Sequence, residues 1–432
     1  MVRSIVFYVC ILSLMAGLIG CGGGAARPTV VRIQAFGDPA EIDAYKELIA
    51  AFESENPGLK VNLIPVGKQA DHMAKLTTSF VGGNPPDLFL INFRRYGQFA
   101  EKGVLEPLGP RIFERGHIKE GDLYEQPVEA FTYNGTLTCI PQNVSSLVVY
   151  YNRTLFDKAG VPYPKEGWQW PAFLRAAKAL TKDTDGDGKT DVYGLGFDPY
   201  IIRIAPFIWH NKGDIVDDVN KPTRLTLDEP AAVEALNFIR SLQTRHRVVP
   251  PIAEAMSEMN DAKFARGALA MLLQSRRYTA TLRTINDLDW DVGPLPYRWK
   301  KATALHADAY CMAKDSKSKE AGYRFIEFAL SPVGAEILAR SGRTVPAIKS
   351  IANSPVFLDP NQRPASAHVF LDSLSNMRRT PNIAIWNEVE TRIDPILEEW
   401  FYGEPLNEAE NEMPIGPALN EATKDLFNGG SP

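Results

Sequence analysis

The chain from Val30 onward alternates strand-like and helix-like patterns, and this alternation limits the possible folds more than any other feature. Val30 to Phe36 has the pattern of a strand, and Ile42 to Phe52 places apolar residues at helical spacing. Two further strands are predicted over 60–65 and 87–91, with a helix over 71–80 between them. This order predicts a parallel sheet, whose ligands bind in the loops beyond the carboxyl ends of its strands.

The N-terminus carries an export signal. Arg3 is followed by an apolar run from Ile5 to Ile19, too short for a membrane span and typical of a secretory signal. The run ends in Leu18-Ile19-Gly20-Cys21, which resembles the bacterial lipobox, where the cysteine becomes the lipidated first residue. The other interpretation is a buried cysteine within a cleaved signal. We expect residues 1–20 to be the signal peptide and 21–29 a lipidated, flexible tether.

Composition narrows the class of protein. The chain has 432 residues, 45% of them hydrophobic, and a formal net charge of −5. This length is sufficient for two to three globular domains with a large core. The sequence has no basic block, which argues against nucleic acid as a partner, because phosphate binding requires clustered Lys and Arg.

The middle of the chain contains the most distinctive motifs. A strand over Leu147 to Tyr151 and a helix over Trp170 to Leu180 lead into an acidic loop, after which another strand is predicted. The motifs YYNRTLFDKAGVPYP and DTDGDGKTDVYG resemble the extracellular solute-binding proteins of ATP-driven sugar importers, the family of maltodextrin- and glycerol-phosphate-binding proteins. FESENPGLKV, NPPDLFL with GVLEPL, KFARGALAM, VGPLP and RTVPA follow the order of that family over nearly the whole chain after about residue 30.

The resemblance implies an α/β, two-lobed periplasmic-binding-protein fold with a multi-strand hinge. It places residues 30–143 and 306–352 in the first lobe, and 144–305 and 353–432 in the second. It also implies a monomer in the cell envelope that is attached to the membrane only through its lipid anchor. This protein would capture a carbohydrate or related polyol by hinge closure and deliver it to permease subunits. In that topology Cys139 and Cys311 lie on strands near the interlobe crossing, where two buried free thiols are favoured over a bond.

Candidate ligand-binding residues follow from the resemblance and from the chemistry of sugars, which offer apolar faces and a rim of hydroxyls. Trp386 and Trp209 are candidate stacking platforms, with core packing as the alternative for each. The arginines at loop positions that the family turns toward its cleft would favour an acidic sugar or a phosphorylated polyol if several converge. Their alternative role is exposed surface charge. These arginines and the remaining polar candidates are Asp38, Arg94, Arg95, Asn143, Ser145, Arg276, Arg277, Asp308 and Arg343. His306 stands beside Asp308, where the family has small residues.

The acidic loop has part of the pattern of a calcium site. Asp183, Asp185, Asp187 and Asp191 occupy positions 1, 3, 5 and 9 of an EF-hand-like loop, and Lys189 could supply a backbone carbonyl. Position 12 is a glycine instead of a bidentate glutamate, so a solvated acidic turn remains the alternative. Calcium, if bound, would be structural, and no other cofactor is expected.

The sequence also bears on two classes of function other than import. An enzyme is disfavoured, because the sequence has no nucleophile elbow, HExxH motif, phosphate loop or CxxC motif. A glycoside hydrolase would need two carboxylates that face one bond, and no spacing in the sequence pairs them. A surface lipoprotein that binds glycans without a transporter remains the other candidate.

Overall fold

The computed structural model describes residues 28–115, 118–403 and 414–428. Its strands are β1 Thr29–Phe36, β2 Leu59–Val66, β3 Leu88–Asn92, β4 Thr132–Tyr133, β5 Thr136–Leu137, β6 Ile140–Pro141, β7 Asn143–Val144, β8 Leu147–Asn152, β9 Met271–Ser275, β10 Trp290–Gly293, β11 Thr303–Ala304, β12 Asp308–Met312, β13 Val345–Pro346 and β14 Met377–Arg378.

The helices of the same residues are α1 Pro39–Glu55, α2 Gln69–Val81, α3 Phe93–Glu101, α4 Gly109–Glu114, α5 Glu125–Ala130, α6 Arg153–Ala159, α7 Trp170–Leu180, α8 Ile201–His210, α9 Pro230–Thr244, α10 Ile252–Ser257, α11 Asn260–Ala265, α12 Tyr278–Leu282, α13 Lys319–Ala329, α14 Pro332–Arg340, α15 Lys349–Ala352, α16 His368–Asp372, α17 Trp386–Tyr402 and α18 Gly416–Asn428. Within these ranges, every helix is too short or too polar to cross a membrane.

A five-stranded sheet forms the first lobe, with strand order β2-β1-β3-β12-β6. β1 pairs with β2 and β3 in parallel, which confirms the predicted arrangement. All five residues of β3 are buried, as expected for a strand covered by helices on both faces. β12 and β6 extend the sheet in antiparallel orientation. α1 begins at Pro39, because the Asp38 carboxylate accepts the Glu41 N–H at 3.0 Å and Pro39 needs no partner for its nitrogen.

A three-stranded antiparallel sheet, β10-β8-β9, forms the centre of the second lobe. Side chains of β8 alternate between two apolar clusters, as the pleat requires. Val149 packs in the cluster of α7, α8 and α17, whereas Val148 and Tyr150 join the cluster that continues into the first lobe. The prediction of a strand after the acidic loop is wrong, because residues 192–196 make only isolated bridges to Lys182, Leu269 and Leu272.

The chain passes between the lobes next to short strand pairs. β6 belongs to the first sheet and β8 to the second, and between them β7 pairs with β13. On the return, β12 follows residues 305–307, where His306 and Ser145 bridge in antiparallel register. Farther along, β14 pairs in parallel with β11. These paired segments between two sheets form the multi-strand hinge of a two-lobed α/β fold, while the residue limits of the lobes stay a prediction.

Cys139 and Cys311 form a disulfide, so the expectation of two free thiols is wrong. Cys311 lies in β12, and Cys139 immediately precedes β6, the neighbour of β12 in the sheet. This pairing brings the two Cα atoms within 4.5 Å, although 172 positions separate them in the sequence. The bond therefore joins β12 to the residue that precedes β6, the edge strand of the first-lobe sheet.

Candidate ligand-binding cleft

A cleft of about 680 Å³ lies between the two lobes. On the first lobe it is lined by the ends of β1 and β3, where Phe36, Gly37 and Asn92 are found. The carboxyl ends of parallel strands thus face the cleft, as predicted. On the second lobe it is lined by the first turn of α8, the end of β9, and parts of α11 and α17.

Seven of the predicted ligand-binding residues line this cleft. They are Arg94, Arg95, Asn143, Asp308 and Arg343 beside the first lobe, and Ser145 and Arg277 toward the second. Asp38 lies behind this surface, where its carboxylate caps α1 and pairs with Arg343. The cleft therefore presents polar and charged groups from both lobes to the same space.

Arg343 is held in place by two carboxylates from the start of α1. Its guanidinium pairs with both Asp38 and Glu41. Burial raises the pKa of Glu41 to about 8, and Arg343 opposes that shift. Gly37 is required beside this cluster, because a Cβ at that position would collide with the Glu41 carboxylate.

Asp308 connects the cleft to the hinge. Its carboxylate accepts hydrogen bonds from Asn92 at 3.0 Å and from Asn143 at 3.1 Å, and Asn143 in turn accepts the Asp308 N–H at 3.1 Å. Burial raises the pKa of Asp308 above its usual value. These bonds link β3, β7 and β12 at the floor of the cleft, so that a ligand on Asp308 would contact the hinge directly.

Arg94 and Arg95 share one carboxylate from the second lobe. Arg94 Nη1 lies 3.1 Å from both Glu390 oxygens, and Arg95 Nη1 lies 2.7 Å from Glu390 Oε2. The indole N–H of Trp386 donates to Glu390 Oε1 at 2.9 Å. Both carboxylate oxygens of Glu390 therefore accept hydrogen bonds behind the cleft surface. The single negative charge of Glu390 faces the positive charges of Arg94 and Arg95.

The second-lobe wall combines carboxylates with amides. Asp198 accepts from Asn260 Nδ2 at 2.8 Å, and Asp261 accepts from Gln274 Nε2 at 2.9 Å. Asp394 accepts the N–H of Ile201 at the start of α8 at 2.8 Å, and burial raises its pKa to about 7. Planar amides and carboxylates at such spacing can bind vicinal hydroxyls.

This fold and cleft match a family of known proteins. Residues 38–336 match the family model of bacterial extracellular solute-binding proteins. The chain belongs to this family. The match agrees with the resemblance noted from the motifs, and it supports a binding protein instead of an enzyme.

Individual proteins are similar to this solute-binding protein over most of its length. An ABC substrate-binding protein from Listeria monocytogenes in complex with cycloalternan superposes with a TM-score of 0.82 and 28% identity, over 93% of this chain and 98% of that one. The maltotriose-binding protein of Pyrococcus abyssi is 22% identical over 84% of this chain and 76% of its own. An uncharacterized lipoprotein of Streptomyces antibioticus is 24% identical over 74% of this chain and 71% of its own.

Three predicted ligand-binding residues of this solute-binding protein are instead part of its core. Trp209 and Trp386 are 2% and 0% exposed within the second-lobe cluster of α7, α8 and α17. Arg276 is 0% exposed, with its guanidinium over the rings of Phe357 and Phe370 at 4.5 and 5.0 Å and its Nε donating to Gly342 O at 2.9 Å. None of the three lines the cleft, because the apolar contacts of each lie inside the protein.

The acidic loop brings three of its four predicted carboxylates together. Ligand atoms of Asp183, Asp185 and Asp187 lie within 4.8 Å of one another, and all three residues are exposed. Asp191 accepts from Thr184 N at 2.7 Å, and the Lys189 N–H donates to Asp187 Oδ1 at 2.7 Å. Calcium binding by this loop stays a prediction.

The sequence interpretation missed several residues that line the cleft, including Asp198, Tyr200, Arg203 and Asp394. The sequence contains a signal for two of them, Arg203 and Asp394. Arg203 is the only charged residue in the otherwise apolar segment IIRIAPFIW, and a lone charge in an apolar helix needs a polar neighbour. Trp386, Glu390 and Asp394 recur every four residues, which places them on one face of α17.

Proposed function

We propose that this protein is the lipid-anchored substrate-binding component of an ABC importer, which captures a carbohydrate or related polyol and delivers it to the permease. The observation that carries this proposal is the cleft of about 680 Å³, lined by hydrogen-bonding side chains from both lobes. Family membership supports import, and the maltotriose-binding relative supports a sugar as ligand. We expect a monomer, which size-exclusion chromatography would check.

The proposed mechanism is closure of the lobes around the ligand. Asp308 and Arg343 can bind a solute from one side, and Asp261 and Arg277 can bind it from the other. A ligand that contacts both sets only when the lobes are closed shifts the population toward the closed state by that difference in free energy. Asn143, Ser145 and His306 lie in the segments that join the lobes and also line the cleft, so ligand contacts act on the hinge itself.

The proposed anchor is Cys21. Residues 1–27 lie outside the described residues, so this step depends on the lipobox-like Leu18-Ile19-Gly20-Cys21 and on the lipoprotein relative. The disulfide between Cys139 and Cys311 supports export, because such bonds persist in oxidising compartments. Cys21→Ser should release the protein from membranes, whereas Cys10→Ser in the signal segment should leave it attached. Unchanged retention of the Cys21→Ser protein would rule out the anchor.

Ligand capture is tested by thermal shift and calorimetry with sugars and polyols. A ligand at 100 times its dissociation constant adds about 2.7 kcal/mol to the free energy of unfolding. Delivery is tested by uptake of the labelled ligand in cells with and without the gene. Binding with unchanged uptake would favour a surface glycan-binding lipoprotein, and release of hydrolysis products would favour an enzyme.

A further inference from the structure

Resting on the proposed function, we propose that the cleft selects a carbohydrate that carries one anionic group, a carboxylate or a phosphate, and that this group binds between Arg277 and Arg203. Both residues line the second-lobe side of the cleft. The neutral part of the ligand would bind the amides and carboxylates around them.

Arg277 is an arginine without a partner. It follows the end of β9, it is exposed to the cleft, and it makes no hydrogen bond or ion pair with any residue in the described ranges. The adjacent Arg276 is by contrast buried between two phenylalanine rings. A guanidinium presents five donors in a planar fork that matches the two oxygens of a carboxylate or phosphate. Arg277 is therefore free to bind such a group.

Arg203 is bonded only to neutral groups. In the first turn of α8, its Nη1 donates to Leu273 O at 3.1 Å and its Nη2 donates to Gln274 Oε1 at 2.7 Å. The nearby carboxylates of Asp198 and Asp261 accept instead from Asn260 and Gln274, and neither forms an ion pair with Arg203. The half-buried positive charge of Arg203 thus has no direct counter-ion within the described part of the chain, and a ligand anion would supply one.

The other arginines of the cleft are neutralised to different degrees. Arg343 faces two carboxylates, those of Asp38 and Glu41. Arg94 and Arg95 share the single charge of Glu390. Arg203 and Arg277 therefore differ from the other cleft arginines, because neither forms a direct ion pair within the described residues, whereas Arg343, Arg94 and Arg95 do.

His306 also lines the cleft, close to Arg94, Arg203 and Arg277. Burial, together with Arg94, Arg203 and Arg277, lowers the pKa of His306 to about 3, so the ring is neutral at physiological pH. Its Nδ1 lies 3.3 Å from Ala304 O, which can only accept, so Nδ1 carries the proton and Nε2 is an acceptor. A neutral imidazole suits a sugar hydroxyl and leaves the anion to the arginines.

The lining as a whole is close to electrically balanced, so the selection we propose is local. Six cationic side chains line the cleft, Lys68, Arg94, Arg95, Arg203, Arg277 and Arg343. Five acidic ones oppose them, Asp198, Asp261, Asp308, Asp394 and Glu398. A ligand with many anionic groups would meet these carboxylates, whereas one anionic group can bind the arginines while its hydroxyls bind the acids and amides.

The test compares matched neutral and anionic probes by calorimetry on the wild-type protein. Glucose, glucuronic acid and glucose 6-phosphate form one series, and cellobiose with cellobiouronic acid, which carries a single carboxylate, forms another. We expect an anionic probe to bind at least about tenfold more tightly than its neutral counterpart. The affinities for glucuronic acid and glucose 6-phosphate show whether the site prefers a carboxylate or a phosphate.

Two variants locate the anionic group. Arg277→Ala should weaken binding of the anionic probe by about 10- to 150-fold, and that of a neutral one by only a few fold, because a hydrogen bond between charged groups is lost. Arg175→Ala, at an exposed position of α7 in the same lobe, is the matched control and should change neither. Arg203→Gln should also reduce the preference for the anion.

The outcomes separate this inference from the proposed function. If neutral probes bind as tightly as anionic ones, or if Arg277→Ala weakens both equally, the selection for an anion is wrong while sugar capture stands. If no probe in either series binds, the selectivity inference fails together with capture of these sugars. A preference for the anion that Arg277→Ala abolishes supports both.

Discussion

The carboxylate of Glu390 on α17 lies 2.7 Å from the guanidinium of Arg95 on α3 and joins the second lobe to the first. Glu390 is only 2% exposed, and Arg94 and Trp386 complete its contacts. Gly97 in α3 permits the segment before α17 to approach closely, because a Cβ at that position would collide with the backbone of Asn382. The arginines that face the cleft are thus positioned by a residue of the opposite lobe.

Glu390→Gln should lower the free energy of unfolding by about 2 to 4 kcal/mol, since it leaves two arginines without a counter-charge. Denaturant melts would measure this loss. Glu388→Gln is the control on the same helix, because Glu388 is 55% exposed and pairs with Arg392 near solvent. That change should stay within about 0.5 kcal/mol. Equal, small effects for both variants would show that the interlobe ion pair contributes little.

Trp386→Ala should lower the free energy of unfolding by about 3 to 5 kcal/mol, because Trp386 fills the second-lobe core and loses both packing and its bond to Glu390. Trp299→Ala is the matched control, since Trp299 is 61% exposed and should cost little. Unfolding curves on both variants give the comparison. A Trp386→Ala protein with wild-type stability and weakened sugar binding would restore the stacking role that the sequence suggested.

Replacement of both Cys139 and Cys311 by alanine should lower the free energy of unfolding by about 2 to 5 kcal/mol, because the crosslink between residues 172 positions apart restricts the unfolded chain. Reductant should lower the melting temperature of the wild-type protein and leave that of the variant unchanged. Alkylation of both thiols in the unfolded, non-reduced protein would contradict the disulfide.

His72 should contribute a loss of stability as the pH decreases from about 7 to 5, which the raised pKa values of Glu41 and Asp394 oppose. Burial lowers the pKa of His72 to about 4 from an ordinary value of 6.5, so between these values the unfolded chain binds a proton that the folded protein excludes. The contribution of neutral His72 to the free energy of unfolding is fully present above about pH 6.5 and is lost as the pH falls toward 4. At pH 5 this loss is about 2 kcal/mol. His72→Gln should reduce this pH dependence, whereas His368→Gln, at an exposed position, should preserve it. Melts at both pH values would decide, and identical slopes in all three proteins would contradict the role of His72.

Calcium should raise the melting temperature, and a chelator should lower it, if the carboxylates of Asp183, Asp185 and Asp187 bind the ion. Asp183→Asn should abolish the calcium-dependent shift. Asp217→Asn should retain it, because Asp217 lies in a different acidic turn, where it accepts from Thr223 N at 2.8 Å. If neither calcium nor the chelator changes the melting temperature of the wild-type protein, the loop is a solvated acidic turn without a bound ion.

Local sequence patterns were sufficient for the regular elements over 30–91 and for the helix over Trp170 to Leu180, but not for the strand predicted after the acidic loop. The predicted helix over Trp170 to Leu180 has the same bounds in the structure, and the predicted strands and helices over 30–91 differ from the observed ones by a few residues. Helical spacing, caps and buried apolar runs are properties of short segments, so they can be read without the rest of the chain. Combined with the ordered motifs, they predicted the two-lobed family fold.

The cleft lining depended on which side of each element faces inward. Arg276 and Arg277 are adjacent where β9 ends, yet one is buried between aromatic rings and the other is exposed to the cleft. Successive side chains of an extended segment point in opposite directions, and the sequence alone does not reveal which direction leads to the core. The same holds for Trp386, whose helix face was settled by packing against α8 and α9.

By itself, the sequence determined the parallel arrangement of the first three strands, because that depends on local periodicity. The family motifs led to the two-lobed fold and to eleven candidate residues, of which seven line the cleft. Only the tertiary structure decided the disulfide between Cys139 and Cys311, the burial of Trp209, Trp386 and Arg276, and the sharing of Glu390 by two arginines. Each of these is a contact between segments far apart in the chain. Such contacts follow from how sheets and helices pack together, which no single segment specifies.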